Sequence, residues 1–118
     1  MLSITSAGRV LLCTTPTDMR RSFDTLAGMI RQHLGHNPLS GAWFVFRSRR
    51  GDRVKIMYWD RDGYCLGYKR LEKGTFRFPD SGDGAACVEV CAADLLMLLD
   101  GVDLRSVRRS ERFSLPAA

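Results

Sequence analysis

Apolar and polar positions along the chain follow two periods in turn. Residues 9–14 (RVLLCT) form a short apolar run that predicts a buried strand. Thr15-Pro16-Thr17 interrupts it, and either Thr17 or Asp18 can cap a following helix by accepting an orphan amide of its first turn. Over residues 18–33 the spacing predicts a long helix. Met19, Phe23, Leu26, Ile30 and Leu34 recur at steps of three or four and share one face, while Arg20, Arg21, Asp24 and Arg31 fall largely on the others. Gly35 supplies the C-terminal stop, and Asn37-Pro38-Leu39-Ser40-Gly41 is a turn-rich loop.

The period then falls to two. Residues 42–47 (AWFVFR) predict a strand, and Arg49-Arg50-Gly51-Asp52 a hairpin connection. Residues 53–59 place Val54, Ile56 and Tyr58 on one face and Lys55, Met57 and Trp59 on the other. Asp60-Arg61-Asp62-Gly63 is a second turn, with Asp-Gly suited to positive φ. Residues 64–71 predict a third strand of this run. Residues 75–78 predict a short fourth, ended by Pro79. After a Ser/Gly/Asp loop, residues 86–90 predict a last short strand. Residues 92–99 predict a short helix carrying Leu95, Leu96, Leu98 and Leu99 and stopped by Gly101. The expected fold is α+β: an antiparallel β-meander of four to five strands, with one long and one short helix covering a face. Residues 9–104 are expected to form the domain, with residues 1–8 as a loose lead-in and residues 105–118 as a basic, mobile tail.

At 118 residues the chain is one domain, with 45% hydrophobic and 26% charged residues, an ordinary globular balance. Charge adds more. The net charge is +5, yet residues 47–77 hold ten basic side chains against four acids, so this segment alone carries +6. Charge gathered in this way is the electrostatic footprint of a polyanion partner. Arg47, Arg49, Arg50, Arg53, Lys55, Lys69, Arg70 and Lys73 are the candidate nucleic-acid-binding residues. The arginine fork matches phosphate oxygens, and a tight turn can display several forks together. Five phosphate contacts would give a log–log salt slope of roughly −4 to −5 on duplex DNA. The alternative is a charged tip that keeps strand edges from pairing with other chains. Aromatic residues (Trp43, Phe44, Phe46, Tyr58, Trp59, Tyr64, Tyr68, Phe76, Phe78) interleave with the basic ones. Aromatic and basic side chains on one sheet face can stack bases and pair phosphates, but most of these rings are expected in the core, because one face must be buried.

No reactive centre is legible. Asp18 and Asp24, six apart on a helix, point to different faces, and Asp60 and Asp62 suit turn chemistry. Cys13, Cys65, Cys87 and Cys91 form no C-x-x-C pair, and no nearby histidine completes a zinc site. His33 and His36 sit at a helix end, where a positive charge complements the dipole. No phosphate-binding loop or nucleophile elbow is present. The expectation is a non-enzyme without metal or cofactor. Reduced cysteines, with neither a signal segment nor a spanning apolar run, point to the cytoplasm and away from a membrane, with nucleoid association a further option.

The motifs carry a resemblance. Thr17-Asp18-Met19-Arg20-Arg21-Ser22-Phe23-Asp24-Thr25-Leu26 resembles the TDMR-x-x-FDGL opening of the TnpB (second open reading frame) accessory family of insertion sequence 66. Residues 44–55 (FVFRSRRGDRVK) are similar to that family's FVF-x-x-RRGD-x-x-K block. Residues 59–63 (WDRDG), 69–76 (KRLEKGTF) and 98–103 (LLDGVD) follow in the family's order. The likeness spans about residues 9–104, with Thr25 where the family often has glycine and Leu104 where an aromatic is common. It implies an accessory role in transposition beside a separate transposase that supplies the catalytic acids, and it carries no catalytic residue over. Three functions follow: a DNA-binding accessory domain acting at element ends or target, a module docking onto the transposase without touching DNA, and a metal-dependent nuclease. The oligomeric state is open.

Overall fold

A strand that is apolar at every position must be covered on both faces, and the strand at the chain's start is. The computed structural model describes residues 8–102. The expected basic tail, and all of the expected lead-in but Gly8, lie outside them. β1 (Val10–Cys13) is buried throughout. Val10 and Leu12 enter one core cluster, Leu11 and Cys13 the other. β2 (Trp43–Arg47), β3 (Arg53–Asp60), β4 (Gly63–Arg70) and β5 (Cys87–Val90) complete a five-stranded sheet in the order β4-β3-β2-β1-β5.

The α+β class holds, but the sheet is mixed. β2, β3 and β4 form the expected antiparallel meander, because their connections are tight turns. β1 pairs parallel to β2, with Val10 opposite Trp43, and antiparallel to β5. The 29 residues between β1 and β2 are long enough for a crossover, and they contain a helix. The expected strand at 75–78 does not form. That stretch instead crosses one face of the sheet, held by a backbone bond from Phe76 N–H to Gly51 C=O at 2.7 Å, with Phe76 and Phe78 in the core.

The expected contrast of one long and one short helix is also corrected. α1 spans only Phe23–Met29, continues as a π-helical turn over Ile30–Leu34, and stops at left-handed Gly35. It starts five residues after the expected cap. Asp18 folds its own backbone: its carboxylate accepts the Arg20 N–H at 2.9 Å and pairs with the Arg20 guanidinium at 2.7 Å. A local turn of this kind competes with helix. Thr25 Oγ1 then accepts the Ser22 N–H at 3.0 Å, the half of a capping box that starts the helix there. α2 covers Ala92–Leu99, and Asp94 accepts the Cys91 N–H at its first turn.

The two helices lie on opposite faces. Leu95 and Leu98 of α2 join Trp43, Val45, Val54, Ile56 and Tyr58 in one cluster, where Trp43 and Tyr58 stack with ring centroids 4.2 Å apart. Leu26, Ala27 and Ile30 pack with Phe44, Phe46 and Met57 on the other. Cys13 and Cys87 face each other across β1 and β5, and both are free thiols. Burial raises the Cys13 thiol and pushes Cys87 up to about 11. A raised pKa leaves less thiolate at any given pH, and the thiolate is the nucleophile. At pH 8, iodoacetamide is expected to alkylate the exposed Cys91 first and to leave Cys13 and Cys87 almost unmodified, as read by intact and peptide mass spectrometry.

Candidate nucleic-acid interface

The link between β2 and β3 sets the geometry of the basic residues. Ser48 N–H donates to Arg53 C=O at 2.9 Å, Gly51 N–H to Ser48 C=O at 3.0 Å, and Arg53 N–H to Ser48 Oγ at 3.1 Å. Ser48 Oγ in turn donates to Asp52. With its backbone groups satisfied inside, the turn leaves Arg49 and Arg50 exposed at its tip. Gly51 has φ +81°, and a Cβ there would lie 3.3 Å from Thr75 Cβ. Both the left-handed backbone and the close approach call for glycine. Gly51→Ala is expected to cost about 1–3 kcal/mol in chemical denaturation, because the turn and residues 75–76 must separate.

Two carbonyls of this turn hold the returning chain: Asp52 C=O accepts Leu71 N–H at 2.8 Å, and Gly51 C=O accepts Phe76 N–H. Phe76 and Phe78 point inward, so Arg77 between them is exposed. The result is a recess of about 410 Å³ lined by Arg47, Arg49, Arg50 and Arg77, with Gly51 and Thr75 in its wall and Asp80 as its one acid. Arg47 is anchored. Its guanidinium donates to Phe76 C=O at 3.3 Å and lies 4.7 Å from the Phe78 ring centroid. Among the described residues, no carboxylate pairs with Arg49, Arg50 or Arg77.

The remaining candidate residues are not gathered there. Arg53 and Arg70 are cross-strand partners and project, with Tyr68, on the face that carries α1. Arg70 pairs with Glu72 at 2.8 Å. Lys55 is only 7% exposed, and its ammonium donates to Arg21 C=O at 2.7 Å. That contact ties β3 to the lead-in of α1. Lys69 reaches the other face, where its ammonium donates to Leu99 C=O at 2.6 Å, at the end of α2. Lys73 is exposed in the turn after β4. Charge close in sequence is thus divided by the pleat between two faces of the sheet.

One basic lining residue of the recess lies outside the candidate set read from the sequence. Arg77 completes the recess, and its signal was present: a basic residue between two inward phenylalanines must point outward. Most of the interleaved aromatic rings are expected in the core. Trp43, Phe44, Phe46, Tyr58, Phe76 and Phe78 are buried there, but Tyr68 is 54% exposed. Among the described residues, no three of His, Cys, Asp and Glu come together as a cation site. Asp18 is held well below the usual carboxylate range by hydrogen bonds from the Arg20 side chain and backbone. No helix among the described residues is long and apolar enough to cross a membrane.

Comparison with known proteins gives a consistent result. The family described as IS66 Orf2 like protein matches residues 8–109. The chain is 40% identical over 104 residues to uncharacterized protein y4hO of Sinorhizobium fredii (strain NBRC 101917 / NGR234), covering 88% of this chain and 89% of that one. It is 37% identical over 101 residues to uncharacterized protein y4jC of the same organism, covering 86% and 85%. No solved structure matches the chain.

Proposed function

The chain belongs to the IS66 Orf2-like family, and from that membership we propose that it serves insertion-sequence transposition as an accessory protein that grips the DNA backbone. The observation that carries this reading is the recess of Arg47, Arg49, Arg50 and Arg77, three of them free of carboxylate partners among the described residues. Unpaired guanidinium groups clustered around a tight turn offer parallel donors to phosphate oxygens without first breaking an ion pair. The role is positioning rather than bond cleavage. Metal-assisted phosphoryl transfer needs converging acids, and Asp80 is the recess's one carboxylate.

The test is a salt titration of duplex DNA binding by fluorescence anisotropy. Four phosphate contacts give a log–log slope of about −3 to −4. No binding even at low salt, combined with salt-resistant co-purification of the element's transposase, would move the same surface to the docking role and overturn the DNA reading.

A further inference from the structure

The face of β3 and β4 that carries Tyr68 holds a second, differently built site. Tyr68 stands opposite Lys55 in register, and Arg53 stands opposite Arg70 one step further along the same face. The ring is more than half open to solvent, yet it is not loose. The Lys55 ammonium lies 4.9 Å from its centroid, and an Arg53 guanidinium N–H donates to its hydroxyl at 3.4 Å. Lys55 is itself fixed by its bond to Arg21 C=O. The aromatic plane is therefore held by polar contacts at its edge and on one side, and the ring belongs to neither buried cluster. Arg53, Tyr68, Arg70 and Glu72 line a shallow concavity of about 290 Å³ around it.

We infer that Tyr68 is a stacking platform for an unpaired base of single-stranded DNA, with Arg53 and Arg70 taking the flanking phosphates. The inference rests on the DNA-binding reading and adds the strand state of the substrate. A duplex shields its base faces by stacking, so an exposed ring offers a gain only where bases are unpaired. Two arginines against Glu72 line the concavity, with the Lys55 ammonium over one face of the ring, and this balance favours a polyanion over an apolar protein surface. Arg70 exchanges Glu72 for phosphate, an exposed ion pair that costs little to open. Because the ring is already oriented, little side-chain freedom is lost on binding.

The experiment uses the full chain and two probes at matched low salt: a fluorescein-labelled oligothymidylate and a labelled duplex. Tyr68→Ala is expected to weaken oligothymidylate binding roughly ten- to a hundredfold and to leave duplex binding unchanged. Tyr68→Phe, which keeps the ring, is expected to retain single-strand affinity. Circular dichroism melting of each variant checks the fold. Unchanged oligothymidylate affinity in Tyr68→Ala would overturn the platform while leaving duplex binding through the arginine recess intact. Equal losses on both probes would also overturn it, by making the ring a support for the basic surface in general. If the unmodified protein bound neither probe, both this inference and the DNA reading would fall together.

Discussion

Replacing Arg49, Arg50 and Arg77 together by alanine is expected to weaken duplex DNA binding by about a hundredfold at moderate salt, counting about 1 kcal/mol for each exposed charge-assisted contact. The same variant is expected to flatten the log–log salt slope by about one unit per lost phosphate contact, so nearly three units in all. The three side chains are exposed and have no carboxylate partner among the described residues, so their removal leaves no orphaned charge. Thermal stability should therefore stay close to that of the parent. Lysine at the same three positions separates two sources of the effect. It restores the salt slope, which counts charges, but recovers the affinity only in part, because an ammonium lacks the planar fork. A parent-like slope in the triple alanine variant would show that phosphates are met elsewhere on the molecule.

The largest stability effect is expected at Phe76. Its side chain is 1% exposed and packs in the cluster with Trp43, Tyr58 and Leu95, and its N–H holds the Gly51 carbonyl. Truncating a phenylalanine in such a place costs about 3–5 kcal/mol, from lost burial and from the cavity left behind. Against a whole-domain stability of about 5–15 kcal/mol, that shift would be plain in a urea melt. The consequence reaches function because residues 75–78 have no ladder to hold them. When Phe76 no longer anchors the segment, Arg77 leaves the recess. Phe76→Leu keeps most of the volume and is expected to lose far less in both stability and DNA affinity. A Phe76→Ala protein that melted like the parent would show that the segment is not anchored through this ring.

The contrast between these two sites shows what the residue pattern could and could not convey. The β2–β3–β4 meander was legible because alternation and turn residues agree: Val54, Ile56 and Tyr58 share a face, and the turns at residues 49–52 and 60–63 permit only antiparallel neighbours. The strandedness of β1 was legible as well, but its partners were not. A run of Val10, Leu11, Leu12 and Cys13 reports burial on both faces without reporting direction. In α1 the apolar period extended over Met19, but the Asp18–Arg20 turn claimed those residues first. The alternation of Thr75, Phe76, Arg77 and Phe78 correctly encoded inward rings and an outward arginine, yet alternation alone does not make a ladder. Arg49 and Arg50 were legible because a hairpin tip exposes whatever it carries. Lys55 was not, since the face opposite Val54 turned out to lie under the start of α1. Tyr68 was not separable in sequence from the other rings of the meander: composition counts aromatic residues, and only three-dimensional packing shows which stand open to solvent.

The pairing of β1 with β5 bears on how the protein comes to exist. β1 and one of its two neighbours, β5, are separated by the 73 residues from 14 to 86, so β1 is synthesised well before that neighbour exists. Arg9 and Glu89, which meet at 2.6 Å across that pair, are 80 residues apart. Until β5 has left the ribosome, β1 offers an apolar edge with unpaired amides, the kind of surface on which nascent chains stick to one another. Closing such distant pairs is also slow. The order in which the polypeptide emerges therefore makes β5 the last of the described strands to join the sheet, and the β1 edge the surface that a chaperone would guard until it does.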